Sequence, residues 1–251
     1  MAVLEARDPL AVAVTEAIRA GDVPALRELL GAHPSLASAG IRQDGEAAGT
    51  RSLLHIATDW PGHFPAGPEV IGVLVAAGAD PGARFVGAHA ETPLHWAASN
   101  DDVAALDALI AAGADIEATG AVIGGGTPLA DARGFGQWRA ARRLLEHGAR
   151  TTLQDAATLG LVDRVKACVE GGVEGGVAAD RPDAEDITSA FWGACHGGQL
   201  ATARYLLERG AELDWAGYDD MTPLDIAVEA GAEDVAAWLR GHGARRRAEL
   251  A

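Results

Sequence analysis

The chain has 251 residues, 49% of them apolar but only 5% aromatic, so it can bury a sizeable core built mainly from small and aliphatic side chains. Twenty Lys and Arg against 36 Asp and Glu leave a net charge of −16, which repels phosphate backbones, argues against nucleic acid as a partner and serves solubility first. Two cysteines, Cys168 and Cys195, make no disulfide framework, and no stretch approaches the roughly 18 uninterrupted apolar residues of a membrane span.

Near the start, Glu5, Arg7, Asp8 and Pro9 interrupt any apolar signal segment, so a soluble cytoplasmic protein is expected. The first helical stretch, 9–40, carries Glu16-Ala17-Ile18-Arg19-Ala20-Gly21-Asp22 followed by Leu26, Leu29 and Leu30. Ser52-Leu53-Leu54-His55-Ile56-Ala57 opens a second, whose middle is interrupted by Asp59-Trp60-Pro61-Gly62-His63-Phe64-Pro65. The prolines there preclude a continued helix. Thr92-Pro93-Leu94-His95-Trp96-Ala97 opens a third stretch, and Thr127-Pro128-Leu129 a fourth, after the Gly-rich segment 120–126. A degenerate fifth keeps Leu153, Ala156, Ala157, Leu161 and Val162. A long Gly- and acid-rich junction, 171–186, precedes a sixth, and Thr222-Pro223-Leu224-Asp225-Ile226-Ala227 opens the last. A second phrase of two aliphatics, two variable residues, Gly and Ala closes most stretches, as in Leu74–Ala79, Leu109–Ala114, Leu144–Ala149, Leu206–Ala211 and Leu239–Ala244.

Each stretch has a physical reading. Thr caps free N–H groups, Pro fits the first helical turn, small residues let a second helix approach, and Gly ends that helix. One such helix pair cannot bury its apolar face alone, so neighbours must stack. These paired phrases, at a period near 33, resemble the ankyrin repeat. The resemblance implies an all-α, ankyrin-type helical solenoid of about seven units with irregular connecting loops. The units are 9–40, 50–91, 92–126, 127–150, 151–175, 187–221 and 222–244, in a single array over 1–251 with a soft point at 171–186.

The resemblance also implies recognition through a concave face made of loop tips and the late part of each first helix. Carried over residue by residue, that face offers Asp59 and Trp60 from the second unit, and the inserted segment adds His63 and Phe64 as candidates outside the motif positions. The third gives His89, Glu91, Ser99 and Asn100, and the fourth Gly134 and Phe135, with Asp131 and Trp96, which stands where a core aliphatic is usual, as further candidates. His196 and Tyr218 come from the last two, with Trp215, Met221 and Glu229 nearby. Aromatic anchors with a polar rim suit a protein or peptide partner. An alternative is a small-molecule pocket, or an unusual acid–base enzyme, closed by 59–65 with Trp96, Phe135 and His89, where His63 or His89 pairs with Asp59 or Glu91. A metal site of Asp59, His63 and His89 matches no ligand spacing, and no cofactor motif is present.

Other residues have structural readings. His55 and His95 fill the family's structural His position. His147 and His242 precede helix-ending glycines, where a cation suits the dipole. Trp138 and Trp192 read as core, and Cys195 as a small core thiol. Asp225 reads as a cap, whereas Asp131 stands where an apolar side chain is expected and needs a partner. Arg245, Arg246 and Arg247 read as a frayed, solvated end.

Overall fold

The fold is taken from a computed structural model, which describes residues 2–43, 48–171, 173–174, 177–178 and 181–250. Two compact units divide the chain, 1–150 and 151–251.

In the first unit a short strand β1 (Val3–Glu5) precedes the helix pair α1 (Pro9–Ala20) and α2 (Val23–Ala32). Strands β2 (Gly40–Gln43) and β3 (Gly49–Ser52) follow. The next pairs are α3 (Leu53–Ala57) with α4 (Gly67–Ala76), α5 (Pro93–Ser99) with α6 (Val103–Ala111), and α7 (Pro128–Gly134) with α8 (Trp138–Glu146). The second unit holds α9 (Leu153–Thr158) with α10 (Val162–Glu170), α11 (Ala184–His196) with α12 (Leu200–Glu208), and α13 (Pro223–Glu229) with α14 (Glu233–Gly241). Two short strands, β4 (Val173–Glu174) and β5 (Val177–Ala178), pair antiparallel between α10 and α11, within the stretch read from sequence as the soft junction. Residues 172, 175–176 and 179–180 of that junction lie outside the described residues.

The all-helical array expected from the repeated phrases is what forms, with fourteen helices among the described residues. Not every connection is irregular, however. β1 runs parallel to β2 (Val3 opposite Gly40), and β2 antiparallel to β3 (Gly40 opposite Ser52). Ser52 ends β3 and at once caps α3, so the sheet sets the start of that helix.

Helix starts follow the capping logic with a twist. In α3 and α5 the third helical residue is a histidine, not the usual Glu or Gln, and it closes the reciprocal box with Ser52 or Thr92. In α9, α11 and α13 an aspartate does this: Asp155, Asp186 and Asp225. Between the helices of a pair the chain turns through one left-handed residue, a glycine at Gly21, Gly136, Gly160, Gly198 and Gly231 but an aspartate at Asp101. Leu53, Leu54, Ile71, Leu74, Leu94, Leu106, Leu109 and Leu129 are sealed in the first unit's core. Phe191, Cys195, Leu206, Val235 and Leu239 centre the second. Trp192 is 7% exposed, as read, and its indole N–H donates to the Met221 carbonyl at 2.9 Å.

Candidate functional site

The interruption after α3 is where the first unit departs most from regular repeats. Thr58 ends the helix, its hydroxyl returning to the Leu54 carbonyl at 3.1 Å. Gly62, His63 and Ala66 all adopt left-handed backbone, so the segment turns tightly. Its base is fastened on two sides. The His63 amide donates to Asp102 Oδ2 at 2.6 Å, and its ring Nε2 lies 3.0 Å from the Asn100 carbonyl. The Pro65 carbonyl rests against Gly21, so closely that a Cβ there would lie 2.2 Å from it. Phe64 is half-buried in this base, whereas Trp60 is 79% exposed. An indole that open to solvent does not seal a pocket.

Asp59 pairs with cations rather than with a histidine. Its Oδ2 receives Arg19 at 2.8 Å and Arg51 at 2.7 Å. The pairing of His63 with Asp59 entertained from sequence is therefore not formed; two guanidiniums hold the carboxylate, and the nearest carboxylate to the His63 ring is that of Asp102, 3.9 Å from Nδ1. Arg51 also donates to Gln43, and its guanidinium lies 5.6 Å from the centre of the Trp96 ring. Trp96 is half-buried and meets His55 edge-on at 4.8 Å and Phe85 at 5.5 Å. Burial raises the Glu91 carboxyl above the usual range, and the neighbouring Trp96 indole offsets this only in part. His89 is exposed. Ser99 bonds the His95 carbonyl of its own helix at 2.9 Å, and Asn100 Nδ2 reaches back to the Thr58 carbonyl at 2.9 Å.

Asp131 is fully buried on α7. The Gly-rich segment 120–126 folds over it through backbone bonds, Gly120 N–H to the Gly125 carbonyl and Ala121 N–H to the Gly126 carbonyl. Its apex places the Ile123 amide 3.1 Å from Asp131 Oδ1. Among the described residues Oδ2 has no hydrogen-bond partner within bonding geometry, although the Val122 amide also favours the ionised carboxyl. Burial, reinforced by the Glu91 charge, pushes the Asp131 carboxyl up to about 7. The partner this residue needs is thus half supplied, by a loop amide. Phe135, at the end of α7, is 47% exposed.

His196 and Tyr218 belong to the second unit. His196 is half-buried with its ring 5.6 Å from Trp192. Tyr218 is 48% exposed, 5.2 Å from Trp192 and 6.1 Å from Trp215. The Gln154 amide donates to its hydroxyl at 3.1 Å.

Sequence reasoning missed Arg19, Arg51 and Asp102, the residues that hold the inserted segment. The only local signal was Arg51, one place before the capping Ser52. Two other features hold more than is read from sequence. His147 Nε2 lies 2.7 Å from Asp107 Oδ1, so a carboxylate on α6 is its partner, in addition to any helix dipole. The three arginines after α14 are not frayed: each is paired with an aspartate. Among the described residues no three His, Cys, Asp or Glu side chains come together as a metal-binding group. No described helix is long and apolar enough to cross a membrane.

Comparison with protein families matches two stretches of the chain. Residues 90–121 match the ankyrin repeat, and residues 153–248 match ankyrin repeats in three copies. The chain belongs to the ankyrin repeat family, whose members generally mediate protein–protein interaction. Comparison with curated proteins returns no match.

Proposed function

We propose that the chain binds a protein or peptide partner along one edge of its first unit, over the C-terminal ends of α3, α5 and α7. One observation carries this reading. At or just past the ends of successive first helices stand Trp60, Ser99 with Asn100, and Phe135, and the two aromatic residues are 79% and 47% exposed. Large exposed aromatics with polar residues between them are what interface anchors look like. Asp59, paired to Arg19 and Arg51, and the exposed His89 supply a polar rim. This reading treats the face as the concave surface of an array of seven units, one per helix pair, in a soluble protein of the cytoplasm.

The inserted segment supports an open face over a closed pocket, because Pro65 packs against the turn at Gly21 and Gly62 against Asn100 while Trp60 stays in solvent. A photo-crosslinking residue at position 60 or 135 should capture the same partner, and one at Glu28 on α2 should not. The doubly substituted Trp60→Ala/Phe135→Ala chain should then lose at least about tenfold in affinity for that partner, with its thermal midpoint unchanged. Capture from position 28 alone, or full affinity in the double variant, would move the site elsewhere.

A further inference from the structure

The stretch after α14 is held by three consecutive arginines, each on its own aspartate. Arg245 grips Asp214 twice, through its backbone N–H and its Nε, both at 2.8 Å. Arg246 Nε donates to Asp225 Oδ1 at 2.7 Å, and the Arg247 backbone N–H to Asp225 Oδ2 at 2.7 Å. Arg247 Nε reaches Asp220 Oδ1 at 2.8 Å.

The chemistry of that grip is the reverse of the contact between helix pairs in the first unit. There the residue three places into the helix is a histidine, and its Nε2 faces the carbonyl just before the next pair's cap: His55 meets Glu91 and His95 meets Gly126. At the same position of α13 stands Asp225, which offers no donor to a carbonyl when ionised. It accepts instead, from a backbone N–H and a guanidinium. The surface is therefore matched to a segment bearing arginines in succession, and it reads both their side chains and two main-chain amides.

The grip also leaves room. A cleft of about 730 Å³ remains beside the strap, lined by Met221, Asp225 and Glu229 on one side and by Arg246, Arg247 and Ala248 on the other. The arginine side chains are 57%, 50% and 45% exposed, so water reaches every guanidinium, and the Arg247–Asp220 pair, open on both sides, holds weakly.

We propose that Asp214, Asp220 and Asp225 form a receptor for an arginine-rich segment of a partner protein, and that Arg245–Arg247 occupies it as a self-inhibitory strap. The net charge of −16 draws such a segment in, and the strap sets a threshold that the incoming arginines must exceed. This site lies in the second unit and stands independently of the edge proposed above.

The test uses a fluorescent, end-capped peptide copying residues 244–249, titrated at low salt by anisotropy. Against the chain carrying Arg245→Ala, Arg246→Ala and Arg247→Ala it should bind at least about tenfold more tightly than against the unmodified chain, because a tethered competitor acts at high effective concentration. Adding Asp220→Asn, an exposed residue outside the helix cap, should weaken binding to the triple variant. Equal binding to the unmodified chain and the triple variant, no binding to the triple variant, or indifference to Asp220→Asn would each overturn the proposal. Should the triple variant fail to fold, hydrogen exchange at the Arg247 amide of the unmodified chain decides. Excess peptide should accelerate it, and unchanged protection overturns the strap.

Discussion

His55 and His95 each use both ring nitrogens. Nδ1 accepts from the backbone N–H of Ser52 or Thr92, at 3.2 and 3.1 Å, so Nε2 must carry the proton that faces the next carbonyl. Only the neutral ring fits, and burial lowers both groups to about 4. The unfolded rings titrate near 6.5, so this contribution is complete above that pH and is lost as pH falls to about 4. It amounts to on the order of 3 kcal/mol for each ring. Asp131 tilts the other way. Its carboxyl is neutral when buried up to about 7 but ionised in the unfolded chain above about 4, so its contribution falls as pH rises through that window. Asp131→Asn should therefore stabilise the protein at pH 8, by about 2 kcal/mol in urea titrations, and give no gain at pH 4. An equal effect at both pH values would mean that the carboxyl titrates normally and the buried oxygen has found a partner.

Turns and caps define the elements, and they can be separated by substitution. Gly231 has a left-handed φ of 68° and open space where a Cβ would go, so Gly231→Ala should cost only the backbone strain, about 1 kcal/mol. Gly21 has the same conformation but the Pro65 carbonyl in that space, so Gly21→Ala should cost several times more and displace the inserted segment. Comparable losses in the two variants, read from thermal melts, would show that the contact yields easily. Elements were legible in the sequence wherever their determinants are local. Thr-Pro at 92–93, 127–128 and 222–223 marks helix starts because cap and first turn are neighbours in the chain. Parallel pairing of Val3–Glu5 with Gly40–Arg42 left no such mark, because two turn-separated helices stand between the strands. The same holds for the candidate site. Trp60 and Phe135 could be placed at helix ends by register, but Arg19 finds Asp59 across 40 residues and Asp102 finds His63 across 39, contacts that no short motif encodes.

Across the whole molecule the choice of histidine or aspartate at the third helical position follows the division into two units. The first unit has His55 and His95 there, and the second has Asp155, Asp186 and Asp225. For Asp225 burial alone would raise the carboxyl, but the Arg247 amide, Arg246 and Thr222 outweigh it and hold the group at about 2. Its stabilising effect is complete above about 4 and is lost as pH falls toward 2. Acid unfolding should thus come in two steps, the first unit between about pH 6 and 4 and the second below 4. Each unit has three tryptophans, so chains keeping only Trp96 or only Trp192 report the steps separately by fluorescence. Coincident transitions would show that the capping residues do not set acid stability. The inserted segment has a mechanical consequence as well. In a plain stack each helix pair touches only its neighbours, so pulling from one end peels pairs off singly. Here 59–65 is tied to the α1–α2 turn at Gly21 and Arg19 and to the α5–α6 turn at Asn100 and Asp102. Three successive pairs are riveted along one seam, and under load from the N-terminal side they should rupture together, as a single long extension instead of three short ones.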